Sequence, residues 1–518
     1  MVKVMPDVSP AAGPHNDTVA IAVAGGEVEA GQIIVVPVTR DLEGVEFSVS
    51  ALTNADGLAL AESAVTLSVM GYVETKSEPP VVYPVERVGW FPDPILPFVE
   101  RFDVDLGKNQ SLWLSIDIPA GQPAGLYRGQ VTVSAANAED RTIPVEVRVF
   151  GFDIPVQRSL RTTLPTFENE LARIHGEAWN REMYWRYVDF LHAHRVNIDN
   201  IYRVDEAPPK LEDIERLAAG GQDAWALRYI PHPGHRLRAN PETSDEYVTT
   251  AIAEALATYA VLEEAGVAEW SYVYLFDEVQ EEHFDALRRD GERVREALPG
   301  VPLVTSARDY LDYGITSGVS DVIDAWGVPI MAFNDDEHLA AIERARANGD
   351  QITWVNVAWP HDPYPNFFVE YDAIGARLMM GAMIQKYRPD GYGYWGTNYW
   401  EHNDHPITEG PYTDWNPFTG NTNGDGSLYA PGEEGPLTTI RFENIRDGLE
   451  DYEYYRLLEK AITEGRARGI AEELLESAEA LLTVPAEIVK ALDDYTRDSQ
   501  LLEQHRLRIA EAIEELSR

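Results

Sequence analysis

Residues 270–279 read WSYVYLFDEV: a run of aromatic and β-branched residues that ends abruptly in two adjacent carboxylates, Asp277 and Glu278. Such a run suits a strand buried on both faces, as in a parallel sheet. A long helix precedes it, EYVTTAIAEALATYAVLEEAG at 246–266, and another helix follows, EEHFDALRRDGERVREAL at 281–298, leading into the short strand PLVTSA at 302–307. The same alternation continues in both directions. Upstream, the helix WNREMYWRYVDFLHAHRV (179–196) precedes the strand-like NIDNIYRV (197–204). Downstream, DVIDAWGVPI (321–330), QITWVNVAWP (351–360) and GYGYWGTNYW (391–400) read as strands, with the helix EYDAIGARLMMGAMIQKY (370–387) between the last two. Strand–helix alternation on this scale predicts a (β/α) TIM-type barrel over residues 156–435. A doubly wound open sheet is the alternative, but no Gly-rich phosphate loop follows a strand to support it.

Outside this region the rhythm differs. Residues 1–16 are rich in Pro, Ala and Gly and read as a flexible segment. From 17 to 155, short alternating runs such as IIVVPVTR, SLWLSIDIP, GQVTVSA and IPVEVRVFGF predict a β-sandwich domain, with Trp113 and Tyr127 in its core. From 436 to 518 the chain reads as a helical region packed on the barrel. The fold class expected is therefore multidomain: an N-terminal β-sandwich, a central (β/α) barrel and a C-terminal α-helical segment.

Composition narrows the function. Asp plus Glu number 87 against 42 Lys plus Arg, a net charge of −45. A nucleic-acid partner needs a basic stripe, and none is present. An anionic membrane surface is disfavoured for the same reason, and no run of about 18 apolar residues offers a span. Acid dispersed along the chain, with Lys scarce beside Arg, reads as adaptation to high salt, where self-repulsion is screened. The chain has no cysteine, which excludes thiolate chemistry and Cys-ligated metals. The N-terminus lacks an apolar segment of signal length, so the protein is read as cytoplasmic or as secreted with its leader removed.

The chemistry is expected at Asp277 and Glu278, because the C-terminal ends of barrel strands face the active site. In so acidic a chain a carboxylate pair is weak evidence alone; Asp277 is equally suited to cap the helix that begins near Glu281. Adjacency constrains the mechanism further. Two opposed carboxylates, about 5–5.5 Å apart for retention or about 6.5–9.5 Å for inversion, straddle the scissile bond of most glycosidases. Neighbouring residues do not straddle it easily, but they suit catalysis assisted by a 2-acetamido group of the substrate. Aromatic residues at predicted strand ends, namely Trp326, Trp359, Tyr394, Trp395 and Trp400, are candidates to stack on sugar faces, with Asn398, Asp414 and Asp425 as hydroxyl-binding partners; Trp354 and Tyr392 read as core. The loop EHNDHPITEGPYTDWNPFTGNTNGDGSLYAPG (401–432) is long and polar, as lids and binding walls are. His402, Asp404 and His405 lack a metal-ligand spacing. Asn421, Asn423 and Asp425 match a calcium loop weakly, without its first Asp or terminal Glu. No metal or other cofactor is expected. No G-x-S-x-G or H-E-x-x-H motif occurs.

These pieces together resemble glycoside hydrolase family 123 and its broader relatives. The resemblance rests on YLFDEV (274–279), DGSLYAPG (425–432), WLSIDIP (113–119) and above all R-x-x-x-x-R-x-G-x-E-D-Y-E-Y from Arg441 to Tyr454. It implies a β-N-acetylgalactosaminidase-like enzyme using neighbouring-group participation, with Glu278 as general acid/base and Asp277 orienting the acetamido N–H, on a glycan or glycoconjugate substrate. Two positions depart from the family pattern: Val279 stands where proline is usual, and Ala430 where tyrosine is. Two other readings stay open: a glycosidase of a sugar without the acetamido group, using Asp404 or Asp414 as a second carboxylate, and a non-catalytic carbohydrate-binding protein.

Overall fold

The computed structural model describes residues 3–8, 17–204, 206–232, 245–279, 281–306 and 321–518. Two antiparallel-rich sheets form the N-terminal part. One holds β1 (Val19–Gly25), β9 (Ala138–Asp153), β8 (Gly125–Ala135), β3 (Leu42–Val49) and β6 (Phe102–Val104) in that order. The other holds β2 (Glu27–Val35), β7 (Gln110–Ile118), β4 (Val65–Thr75) and β5 (Gly89–Leu96). Their alternating residues supply a shared core, including Val69, Leu112, Leu114, Tyr127 and Val147; Trp113, expected in that core, is buried instead on the other face of β7, with Met70, Ile95, Ala373 and Ile440. Part of the predicted flexible segment, residues 1, 2 and 9–16, lies outside the described residues. Residues 3–8 are anchored rather than loose: Asn109 donates to the carbonyls of Met5 and Val8, and the Lys3 ammonium is buried against the carbonyl of Val369.

The central sheet is all parallel. Its order is β10 (Arg161–Thr163), β16 (Gly391–Gly393), β15 (Gln351–Val355), β14 (Ala325–Pro329), β13 (Leu303–Ser306), β12 (Ser271–Leu275) and β11 (Trp225–Ile230). It curls into a half-barrel whose edges, β10 and β11, do not pair with each other among the described residues. The predicted strand NIDNIYRV lies between those edges but is irregular. Asn197 Nδ2 donates to the Thr162 carbonyl, and the Asp199 carbonyl accepts from Thr166 N–H on the β10 side. On the β11 side, Asp199 Oδ1 accepts from Ala226 N–H and the Arg203 carbonyl from Tyr229 N–H. Side chains thus replace part of a ladder there. Helices fall between the strands, for example Asp245–Glu264 and Phe284–Ala297, as the 3.6-residue pattern predicts. No helix among the described residues is long and apolar enough to cross a membrane.

The helix Ile440–Arg468 is the centre of the assembly, and almost all of its first half is buried. Gly448 meets the helical segment containing Arg377 and Gly381 so closely that a Cβ on Gly448 would stand 2.5 Å from the Arg377 carbonyl. The R-x-x-x-x-R-x-G-x-E-D-Y-E-Y motif therefore joins the parts of the chain. Arg441 pairs with Asp93 of β5; Arg377 of the helix Ala373–Leu378 pairs with Glu29 of β2 and with Asp451; Glu453 accepts from Ser159; Tyr454 donates to Glu27. The last helix, Ser499–Ser517, packs against β9, where Arg148 pairs with Glu511 and Glu514. The helical region, expected to pack on the barrel, thus also contacts the N-terminal sheets.

Candidate active site

Asp277 and Glu278 follow β12 directly, at the C-terminal end of the sheet. Phe276 and Glu278 both have positive φ, +58° and +48°. Left-handed backbone at non-glycine residues costs on the order of 1–3 kcal/mol each and persists only where surroundings enforce it. The end of β13 supplies that enforcement. Ser306 Oγ accepts the Glu278 N–H at 2.8 Å, the Ser306 carbonyl accepts the Val279 N–H at 3.0 Å, and Thr305 Oγ1 donates to the Phe276 carbonyl at 2.8 Å. Proline at 279 could not make the second of these bonds.

The same turn aims Asp277 back over its own strand. Asp277 Oδ1 accepts from the Tyr274 hydroxyl at 2.7 Å and from Ser306 Oγ at 2.8 Å, while Tyr202 reaches Oδ2 at 3.4 Å. Tyr202, Tyr229 and Tyr274 pack against each other with ring centroids 5.5–5.8 Å apart. Burial, and then the charge of Asp277, pushes the Tyr202 and Tyr274 phenols well above their ordinary range. They stay neutral and act as donors. Asp277 is half-buried, Glu278 is exposed and Val279 is buried. Among the described residues Asp277 makes no capping bond to the following helix; its Oδ1 is held by the hydroxyls of Tyr274 and Ser306.

Both carboxylates line a cavity of about 460 Å³ inside the sheet, together with Trp359, Tyr394, Trp395 and Asp425. Trp359 is 47% exposed at its mouth. Asp425 Oδ1 accepts from the Tyr394 hydroxyl at 2.6 Å and from Trp395 Nε1 at 2.9 Å. Burial raises Asp425 from 3.8 to about 6, with those two donors and Arg441 pulling it back. Arg441 also grips the loop that carries Asp425: it donates to the carbonyls of Gly424 and Ser427 while paired with Asp93. Gly424 has φ +95°, and a Cβ there would meet the Arg441 guanidinium at 2.7 Å.

Four of the other expected site residues lie elsewhere. Trp326 is fully buried and donates to Asp350. Its strand begins at Ala325 rather than ending at Trp326, so Ala325 and Gly327 face inward and Trp326 faces the helices. Asn398 is buried and pairs with both the N–H and the carbonyl of Phe167. Trp400, seven residues past its strand, is buried against Trp415 and Tyr429. Asp414 is exposed, 3.4 Å from His405, which is 3.7 Å from Asp404; none of these three lines the cavity. His402 stacks on Phe418. Most of the 401–432 loop is likewise no lid. Pro411 and Thr413 bond to the backbone of Tyr72 in β4, and only Asp425 reaches the cavity. Asn423 donates to Glu370 and Asp425 accepts from Tyr394, so these two side chains of the weak calcium pattern have different partners. Sequence reasoning missed Tyr202, Tyr274 and Ser306, although all three stand in or beside strands it quoted.

A carboxylate pair at the C-terminal end of a parallel sheet, opening into an aromatic-walled cavity, fits a glycoside hydrolase, and the family comparison shows that class. The family 123 catalytic-domain model matches residues 220–458 and the family 123 N-terminal-domain model matches residues 13–135. The chain belongs to glycoside hydrolase family 123. Among solved structures, a family 123 glycoside hydrolase from Clostridium perfringens, whose structural analysis concerned glycolipid glycan hydrolysis, is similar over 96% of this chain and 93% of that one, at TM-score 0.66 and 15% identity. A family 39 glycoside hydrolase from Bacteroides cellulosilyticus covers 84% of this chain and 82% of its own at TM-score 0.37 and 12% identity. No curated protein sequence matches the chain.

Proposed function

We propose that this glycoside hydrolase is a retaining, exo-acting β-N-acetylhexosaminidase, N-acetylgalactosaminidase-like, whose nucleophile is the 2-acetamido group of its substrate. One observation carries the reading: the two carboxylates are sequence neighbours at one strand end, with Asp277 tethered by two hydroxyls and Glu278 opening into the cavity. In this scheme Asp277 accepts the acetamido N–H. The acetamido carbonyl oxygen bonds to the anomeric carbon as the glycosidic C–O bond breaks, and Glu278 gives its proton to the leaving oxygen. Water then adds to the anomeric carbon from the side the aglycone left, the oxazolinium ring opens, and Glu278 takes a proton from that water. Two inversions retain the configuration. Trp359, Tyr394, Trp395 and Asp425 form the sugar-binding wall. We read the curled sheet and residues 197–203 together as a closed (β/α) barrel, with a sandwich over 17–155 and a helical region from 436, and the dispersed acidity as adaptation to high salt.

Glu278→Gln should cost about 10²–10⁴-fold in kcat on substrates with poor leaving groups and much less on activated aryl glycosides. Asp277→Asn should lose activity on both. Unimpaired turnover of an alkyl N-acetyl-β-galactosaminide by both variants overturns the proposal.

A second reading has one observation in its favour: Asp425 is a further carboxylate in the same cavity, its pKa pushed up by burial to about 6. Opposed to Glu278, it would serve a sugar without the acetamido group. Cleavage of plain aryl hexosides, but not of N-acetylhexosaminides, selects that reading.

A further inference from the structure

The cavity continues past the carboxylates into the interior of the sheet. Pairing across β14, β15 and β16 sets Gly327, Thr353 and Gly391 side by side, and Pro329, Val355 and Gly393 in the layer above them. Barrels ordinarily fill such layers with bulky branched side chains. Here two of the three residues in the lower layer are glycines, and the upper layer ends in another. A Cβ on Gly327 would meet Val355 Cγ2 at 3.0 Å and Ser306 Cβ at 3.4 Å, and one on Gly393 would meet Thr163 Oγ1 at 3.2 Å; both missing side chains would point inward. The opposite wall is filled by Tyr229, Tyr272 and Tyr274.

The result is a one-sided hollow. It reaches from Trp359 and Glu278 down to Gln351, Asp390 and Arg161, at the N-terminal ends of their strands. Arg161 floors it, donating to the carbonyls of Asp223 and Glu269. From Gly391 to Trp395 the chain climbs four residues, roughly 13 Å when extended, or roughly 10 Å along the axis at a strand tilt of about 36°. Tyr274 and Ser306, which hold Asp277, line this same space.

We infer that the hollow beneath Asp277 is a subsite for the acyl chain of the 2-acylamino group, and that the enzyme accepts hexosamines whose N-acyl group is longer than acetyl, such as N-propionyl and N-butanoyl. This rests on the substrate-assisted reading. Asp277 holds the amide N–H and the amide oxygen reaches the anomeric carbon, which leaves the remaining acyl carbons directed at the interior. Two further methylenes are short against its depth. Val304, Ala325 and Val355 offer them apolar contact, worth about four-fold in affinity per methylene fully withdrawn from water. Thr353 and Tyr272 add hydroxyls for a hydroxyacyl group.

The test is a series of 4-nitrophenyl β-galactosaminides and β-glucosaminides bearing N-acetyl, N-propionyl and N-butanoyl groups. The expected kcat/KM for N-butanoyl lies within about ten-fold of that for N-acetyl, and Gly393→Val lowers the N-butanoyl to N-acetyl ratio by at least about ten-fold through lost room. Gly393→Ala, with a smaller intrusion, lowers it less and serves if the valine variant does not fold. A wild-type drop of more than about 100-fold from N-acetyl to N-butanoyl, or a ratio unmoved by both glycine variants, overturns the subsite and leaves the substrate-assisted reading standing. Cleavage of plain hexosides with no turnover of any N-acyl substrate overturns both.

Discussion

Ser306 Oγ donates to Asp277 Oδ1 and accepts the main-chain N–H of Glu278, each at 2.8 Å, so one hydroxyl from β13 fixes both carboxylate residues at the end of β12. Loss of that hydroxyl leaves the left-handed turn with one tether fewer and Asp277 held only by the hydroxyls of Tyr274 and, at 3.4 Å, Tyr202. Ser306→Ala should lower kcat by about ten-fold or more with little change in melting temperature, since a misplaced catalytic group is felt mainly in rate. Ser306→Thr keeps the hydroxyl and should recover most of the loss. An alanine variant with wild-type kcat refutes the tethering role.

Asp425 sets a pH dependence of stability. Its pKa is raised from 3.8 to about 6 in the folded protein, so the unfolded chain gives up its proton first as pH rises. Stability from this group is intact below about 4, falls between about 4 and about 6, and the cost is complete above that, on the order of 3 kcal/mol. Asp425→Asn keeps an oxygen for Tyr394 and Trp395 and should unfold at higher denaturant concentration than wild type at neutral pH, with the difference gone at pH 4. Equal stability at both values refutes this.

Trp359 and Asn398 should separate binding from stability. Trp359→Ala removes a half-exposed wall of the cavity and is expected to raise KM by about ten-fold with the melting temperature nearly unchanged. Asn398→Ala leaves the Phe167 N–H without its acceptor, at a cost of about 1–3 kcal/mol, while the Phe167 carbonyl keeps its bonds from the Glu170 and Leu171 N–H groups; KM should change little once the variant is folded. Paired thermal melts and kinetics on the two variants check both outcomes.

Arg441 is expected to report in two ways at once. Arg441→Met leaves Asp93 buried without its cation, a loss of about 3–5 kcal/mol, and releases the carbonyls of Gly424 and Ser427. Denaturant unfolding should show the first effect. The second should appear in the surviving folded fraction as a raised KM, because the loop bearing Asp425 loses its anchor. A destabilised variant with unaltered KM would confine Arg441 to holding the sandwich.

The net charge of −45 predicts salt-dependent stability. Raising KCl from about 0.1 M to about 1 M shortens the screening length from about 10 Å to about 3 Å, so self-repulsion weakens and the melting temperature should rise. A melting temperature that falls over this range contradicts the reading of the acidity.

The sandwich strands were legible because alternation of apolar and polar residues marks a half-buried sheet directly. The carboxylate pair was legible because a carboxylate ending a buried aromatic run has few innocent placements. The aromatic wall was half legible: strand parity decides which tryptophans face inward, and a boundary displaced by a few residues at VIDAWG turned Trp326 from core into pocket. Trp400 and Asn398 lie beyond the strand, where parity carries no information. Tyr274 escaped notice because three residues from Asp277 is the wrong parity for a straight strand; the left-handed φ of Phe276 brings the two together, and no pattern of residue types announces that bend. Tyr202 belongs to the irregular segment between β10 and β11, held by side chains such as Asn197 and Asp199 that sequence periodicity does not read.

The buried ion pairs around the helix Ile440–Arg468 bear on how this enzyme can be divided. Glu27 and Glu29 of the sandwich find their cations on Arg506 and Arg377, and Asp93 finds its own on Arg441. A cut near residue 155 would strip three interior acids of their counter-charges on one fragment and leave three arginines facing water through an apolar wound on the other. The N-terminal sheets thus share their interior charges with the rest of the hydrolase rather than sitting beside it as a closed module.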